Sequence, residues 1–520
     1  MILLSKTNVI FSLLICFDII ISKIISHCNK EKPFLTKKYK KRNPKKTLKH
    51  LTKPSLFCYN IYRKKKGQGV MQKKEVRIDF SKKCGRVKPL GCINGGPRSG
   101  GYSLPFDFSE EFVEMGVPLV RTAGSAGEYG LNQYVNIHCI FPDFDADENL
   151  EESYNFLPTD LYLASIRNTG AGVFFRLGEA KEPYARKHFV SAPKDPEKWA
   201  RICEHIIMHY NEGWANGFKL GIKYWEIWSA PDSVECWTGT RQEYFELYRV
   251  TANHLRERFP KIKIGAYGMR GFYSLNRLDA TEEMKSYVPF MQQFFSYITS
   301  SATEAPLDFF TWACYSSNPE ELAMHAKYAR TYLDNAGLRR TRSIICEYNT
   351  ATSAGVSPAL RENLPSELGA SLIMAQKSTA DMLMYSTSDA YSRENALFSM
   401  DDHTTPHHYA AYTVMCHFAK LYKLGNVVDT GDDHRKELYS LAAQGTEEGA
   451  MLMVTRSFEG KVEIIMTASP FNTCTVSKTV PGGDRGKGTT YRSKDVDISS
   501  GRLVLSVGMG EIYLLSFFNK

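Results

Sequence analysis

The sequence predicts an α/β protein: a (β/α)8 TIM barrel followed by a C-terminal antiparallel β-sandwich. Two observations carry this. Between about residues 88 and 425, eight short apolar runs alternate with longer amphipathic ones. After Gly425 the texture changes to short strand-like runs separated by Gly, Asp and Ser clusters.

The eight runs, in order, are 89-PLGCING-95, 118-PLVRTAG-124, 172-GVFFRLG-178, 223-KYWEIWS-229, 262-IKIGAYG-268, 307-LDFFTWACY-315, 343-SIICEYN-349 and 382-MLMYST-387. Most are apolar almost throughout, as strands covered on both faces must be. A doubly wound sheet would use the same alternation but gives no reason to stop at eight. The helices between them carry their own boundaries. Asp195-Pro196-Glu197 supplies an N-cap, a first-turn proline and an early acid, and Trp199, Ile202, Cys203, Ile206, Ile207 and Tyr210 follow on one face. Thr240 with Glu243 forms a capping-box pattern ahead of Phe245 and Tyr248. Asn318-Pro319 opens a long helix that Gly337 closes. The barrel is therefore expected over residues 88–425.

Residues 426–520 read as the sandwich, through 438-LYSLAAQ-444, 450-AMLMVTRS-457, 461-KVEIIMTAS-469 and 502-RLVLSVGMGEIYLLSF-517. The early segment 75-EVRIDF-80 alternates in the same way, so residues 71–87 are expected to add a strand to that sheet.

Charge is unevenly spread. Residues 1–70 hold 17 Lys/Arg against Asp18 and Glu31, a net of +15, while the remainder carries −5. A mildly acidic body gives no reason to expect a nucleic-acid partner. The basic extension opens with an apolar run, 8-NVIFSLLICF-17, which reads as a signal peptide or membrane anchor. Against that reading, Asp18 interrupts the run and basic residues continue for some forty positions. The alternative is a true start at Met71, and with it a cytoplasmic protein. Through residues 1–27 the chain would instead be membrane-anchored or secreted. The 12 cysteines stand singly, with no CxxC pair, which fits reduced thiols. No metal-ligand spacing, phosphate loop or dinucleotide fingerprint occurs, so no cofactor or metal is expected.

A barrel works at the C-terminal ends of its strands. Strand seven ends at Glu347, and a carboxylate after an apolar run needs an explanation. A structural Glu paired with an Arg or Tyr at the mouth satisfies the same observation. Retaining glycoside hydrolysis uses two carboxyl groups about 5–5.5 Å apart, one as nucleophile and one as acid/base. The ends of strands four and seven would face each other across the mouth. Strand four, 223-KYWEIWSAPD-232, breaks at Pro231 and carries Ser229 and Ala230 there.

Several stretches together resemble glycoside hydrolase family 39, of the clan that includes β-xylosidases and α-L-iduronidases. They are 133-QYVNIHCIFPDFDAD-147, 154-YNFLPTD-160, 174-FFRLG-178, 198-KWARICEHIIMHYNEGWANGF-218, 223-KYWEIWSAPD-232, 237-WTGT-240, 308-DFFTW-312 and 345-ICEYN-349. The resemblance implies a barrel with a β-sandwich, no cofactor, and hydrolysis of O-glycosyl bonds with retention. Its nucleophile matches Glu347, followed by Tyr348. Its acid/base, the Glu of Trp-Asn-Glu-Pro, falls on Ala230 of Trp228-Ser229-Ala230-Pro231, and its sugar-binding Asn falls on Ser229. After Val120-Arg121-Thr122 the expected His-Asp is Ala123-Gly124, and the expected Trp-His-x-Tyr reads Trp312-Ala313-Cys314-Tyr315. Ala123 and Ala313 thus mark lost polar positions, while Arg121, Trp228, Trp312, Tyr315 and Tyr348 remain as substrate-binding candidates. Asp232 and Glu235 are the nearest substitutes for the missing acid. Glu179 and Glu182 are weaker ones, and Glu226 is expected to sit deeper, in a buried network.

Two functions follow. One is a β-xylosidase-like hydrolase acting on a xyloside or related glycoside, weakened or altered by Ala230. The other is an inactive relative that binds carbohydrate or a protein through the old barrel mouth.

Overall fold

The computed structural model describes residues 72–97, 107–122, 134–179, 181–182, 185–350, 358–386, 395–399, 407–431, 436–482 and 488–520. The basic extension and Ala123 lie outside the described residues.

Each of the eight apolar runs supplies one strand of a closed parallel barrel. A first strand, β1 (Lys73–Arg86), precedes it. The barrel itself runs through β2 (Cys92–Asn94), β3 (Leu119–Arg121), β4 (Gly172–Leu177), β5 (Tyr224–Ile227), β6 (Lys263–Met269), β7 (Phe309–Tyr315), β8 (Arg342–Asn349) and β9 (Met382–Tyr385). It closes where β2 pairs with β9, Cys92 opposite Met384. Its lower interior is apolar, filled by Cys92, Phe174, Phe309, Ile344, Cys346, Met382 and Met384. Alternation then places Asn94, Arg121, Arg176, Glu226 and Thr311 in the layer above, all buried. Polar residues there face the mouth.

The helix signals are realised as hydrogen bonds. Asp195 accepts from the Glu197 and Lys198 amides at 2.9 Å each, ahead of the helix Pro196–Asn211. Thr240 and Glu243 complete a reciprocal capping box at Arg241–Arg258. Caps of this kind contribute about 1 kcal/mol apiece. The predicted face of Pro196–Asn211, from Trp199 to Tyr210, is buried against the barrel.

A short ribbon, β10 (Phe398–Ser399) with β11 (His407–His408), precedes the helix Ala410–Leu424. The C-terminal strands follow: β12 (Asn426–Asp429), β13 (Tyr439–Gln444), β14 (Gly449–Thr455), β15 (Gly460–Thr467), β16 (Thr473–Val480), β17 (Thr489–Arg492), β18 (Val496–Asp497), β19 (Arg502–Val507) and β20 (Glu511–Phe518). They form one ten-stranded sheet in the order β17-β16-β20-β14-β13-β12-β1-β15-β19, with β18 against β16. The sheet curls on itself. Phe80 of β1 lies 5.4 Å from Phe471 and 5.6 Å from Phe517 of β20, which is four strands away along the sheet. Its pairings are antiparallel except that β1 runs parallel to β15. β14 is buried along its whole length because both faces are covered. Met451 and Met453 fill the sheet's own core, while Leu452 and Val454 face the barrel core.

Candidate active site

Arg121, the last residue of β3, organises the mouth. Its guanidinium donates to Glu226 (Nε 2.8 Å, Nη2 2.7 Å), Asn94 Oδ1 (3.1 Å), Ser229 Oγ (3.0 Å) and Glu347 Oε1 (3.4 Å). Thr311 donates to the other oxygen of Glu226. Burial works against the Arg121 charge, but Glu226, Cys346 and Glu347 outweigh it and hold the guanidinium protonated. Glu226 is thus the buried, fully engaged carboxylate that its strand position predicts, and Arg121 and Thr311 lock both its oxygens.

Glu347 has a different setting. Strict alternation along β8 would turn it away from Cys346 and the barrel axis. Pairing shifts register between Ile345 and Tyr348 on one side, and between Trp312 and Ala313 on the other. Such irregularities re-aim side chains, and here the Glu347 carboxylate reaches the mouth. Its Oε2 accepts from the Tyr315 hydroxyl at 3.0 Å, its Oε1 faces Arg121, and its side chain is 24% exposed. It is therefore anchored by two donors yet open to a ligand. Ala313, directly opposite in the β7 pairing, is buried and brings no polar group.

The end of β5 is a tight, strained turn. Trp228 and Ala230 adopt φ of +66° and +52°, and the Ala230 amide donates to the Tyr267 carbonyl at 2.5 Å. Left-handed backbone in non-glycine residues costs about 1–3 kcal/mol and gathers at functional sites. Ser229 turns inward to Arg121, while Ala230 is buried at 5% exposure with no carboxyl to offer. Gly268 makes the close approach possible. At φ +67° it would place a Cβ 3.1 Å from both Arg121 Nη2 and Ser229 Oγ.

Other candidates fall elsewhere. Trp228 donates to the Cys236 carbonyl and packs edge-on to Trp237 at 4.9 Å. Trp312 donates to Ser343 Oγ and packs on Phe272, and Tyr348 is wholly buried beside Tyr385. These three rings are core, corrected from sugar-stacking candidates: at the end of a barrel strand, alternate side chains point to the helices, and aromatic character does not tell which. Glu235 pairs with Lys181 at 3.8 Å near the surface, and Glu182 accepts from the His188 and Phe189 amides. Glu179 accepts from the His138 amide and lies against its ring.

Asp232 accepts from the Arg270 amide at 3.0 Å through Oδ2, while its Oδ1 is buried without a partner among the described residues. Burial pushes its carboxyl up to about 7, against the pull of that amide and the Arg270 charge. The folded state thus holds a proton that the unfolded chain gives up near its ordinary value, so stability falls as pH rises from about 4 to 7. Asp232→Asn is expected to gain stability relative to the parent at pH 8 and little at pH 4.5, measured by thermal unfolding. An offset identical at both pH values would contradict the assignment.

Arg270, just past the end of β6, joins the mouth without being among the residues the sequence singles out. Its guanidinium is held charged against burial, first by Glu347. Its place at a strand end was the available signal. Arg176 is likewise not singled out by the sequence; it donates to Asn136 at 2.6 Å from a wholly buried position, with Nε and Nη1 lacking a partner among the described residues. Burial lowers its pKa to about 10. Among the described residues, no cluster of His, Cys, Asp and Glu has the form of a metal site, and no helix is long and apolar enough to cross a membrane.

Residues 122–348 match the family model described as glycosyl hydrolases family 39. A β-xylosidase of Geobacillus stearothermophilus is 23% identical over 228 residues, which cover 41% of this chain and 44% of that protein. A second, from Caldicellulosiruptor saccharolyticus, is 24% identical over 206 residues, covering 37% and 39%. The chain therefore spans less than half the length of the curated relatives it matches. Among solved structures, a glucosidase from Croceicoccus marinus superposes with TM-score 0.67 at 19% identity, over 86% of this chain and 99% of that one. The family 39 enzyme of Xanthomonas axonopodis pv. citri gives 0.60 at 14%, over 88% and 99%. At these identities the structural likeness speaks for the fold.

Proposed function

We propose that this chain, whose residues 122–348 match the glycosyl hydrolases family 39 model, is a β-xylosidase-like retaining glycosidase with Glu347 as nucleophile and weakened by alanine at position 230. The observation that carries this reading is the Glu347 carboxylate, partly open and oriented by Arg121 and Tyr315. Those two donors, on opposite oxygens, fix the direction in which the carboxylate faces the mouth. The carboxylate attacks the anomeric carbon, the glycosidic oxygen departs with the bonding electrons, and a glycosyl ester remains on Glu347. Nothing at Ala230 protonates the leaving oxygen or activates water for the second step, and loss of such help typically costs about 10²–10⁴-fold.

The second reading, a carbohydrate-binding relative without turnover, is favoured by one observation. Glu226, the other acid contacting Arg121, is too tightly held by Arg121 and Thr311 to take over.

An aryl xyloside with an excellent leaving group separates the two. Such a leaving group needs little protonation, and azide replaces the unactivated water. The full chain is expected to form xylosyl azide in an azide-dependent burst, and Glu347→Gln is expected to abolish it. If no activated sugar labels Glu347 and no glycosyl azide forms, the hydrolase reading fails and the binding reading stands.

A further inference from the structure

A second reactive cluster lies beside the mouth, formed by residues that take no part in the chemistry at Glu347. Cys139 Sγ is 3.3 Å from His138 Nε2, and His138 Nδ1 is 2.5 Å from Glu179 Oε2. Glu179 lies two residues past β4, and its second oxygen accepts from the His138 amide at 3.0 Å, so the carboxylate fixes both ring and backbone. Phe189 lies flat on the imidazole, with centroids 3.6 Å apart and planes 2° apart, which holds the ring in its plane. A thiol, a base within hydrogen-bond reach and an orienting carboxylate form the arrangement that activates a nucleophile.

Electrostatics agree. Burial works to lower the His138 pKa, but the hydrogen bonds and charges of Cys139 and Glu179 outweigh it and push the imidazole up to about 9. A ring nitrogen this close to sulfur can take the thiol proton and keep it at hand for a leaving oxygen. Access agrees as well. Cys139 is partly exposed and the His138 side chain is 16% exposed, whereas Cys92, Cys203, Cys236, Cys314, Cys346 and Cys474 are buried.

We propose that Cys139, His138 and Glu179 form a nucleophilic thiol centre on the barrel rim that reacts with small peroxides. The Cys139 thiolate attacks one peroxide oxygen and the O–O bond breaks. Sulfur is oxidised by two electrons to the sulfenic acid, and the departing hydroxide takes the His138 proton and leaves as water. Glu179 keeps the imidazole aligned and acts as a positioning residue.

The test is site-resolved labelling of the full chain at pH 6. Iodoacetamide reads thiolate reactivity by peptide mass spectrometry, and a sulfenic-acid trap reads oxidation by hydrogen peroxide. Cys84 is the internal reference, being exposed with its sulfur directed to the Lys82 carbonyl. Cys139 is expected to alkylate about tenfold faster than Cys84. The faster reaction comes from the His138 nitrogen 3.3 Å from the sulfur, which takes up the thiol proton as sulfur attacks. Cys139 is also expected to be the cysteine trapped as sulfenic acid. His138→Phe and, independently, Glu179→Gln are expected to bring Cys139 down to the Cys84 rate while Cys203 and Cys346 stay unlabelled, which shows that the fold persists. Cys139 reacting no faster than Cys84 in the parent protein would overturn the proposal outright. So would an undiminished rate in a folded variant, or alkylation without any trapped sulfenic acid.

Discussion

Arg121→Met is expected to lower the unfolding free energy by about 3–5 kcal/mol, because it strands a buried carboxylate. Arg121 and Glu226 are both 0% exposed, and the guanidinium supplies two of the three short contacts that compensate Glu226. Urea unfolding near neutral pH should show a lower midpoint with an unchanged slope. Glu226→Met added to Arg121→Met should recover most of the loss, since removing both charges leaves neither one uncompensated. A single variant as stable as the parent would show that the pair does not bear on stability. A double variant no better than the single would mean that the loss is packing rather than charge.

Ala230→Glu together with Ser229→Asn is expected to raise turnover of a xyloside with a poor leaving group by about 10²–10⁴-fold. Activated aryl xylosides, which need little protonation, should gain far less. The backbone already adopts φ +52° with alanine there, so a glutamate inherits the conformation without adding backbone strain. The contrast between the two substrates is the diagnostic. Equal gains on both would point to improved binding, and no gain on either, with the protein folded, would count against position 230 as the vacated acid site.

The architecture was legible because it rests on periodicity. Eight apolar runs separated by capped helices name a barrel before any tertiary contact is known, and Asp195, Thr240 and Asn318 cap where their local chemistry requires. The site was legible in part. Glu347 stands out as a carboxylate after an apolar run, and Tyr315 lies at the end of the preceding barrel strand. What stayed hidden depends on orientation. The β8 irregularity that turns Glu347 to the mouth leaves no mark on composition. Trp228, Trp312 and Tyr348 sit at the right places along their strands but face the helices. The Cys139–His138–Glu179 cluster joins residues forty positions apart, and only the approach of the short helix Ile137–Ile140 to the chain just past β4 brings them together. The continuity of the C-terminal strands as one curled sheet likewise depends on long-range pairing.

The position of β1 has a consequence for synthesis. It leaves the ribosome before every strand of the sheet it belongs to, yet its neighbour β12 begins at Asn426, 340 residues after Arg86. Its other neighbour, β15, comes later still. At about 5–20 residues per second, the nascent strand waits roughly 20–70 s for a first partner. Throughout that interval Val76, Ile78 and Phe80, buried in the finished sheet, have nowhere to go, and the strand's unpaired backbone is a template for other chains. Slow translation lengthens that exposure, and crowding among nascent copies sets how often it ends in aggregation rather than in a closed sheet.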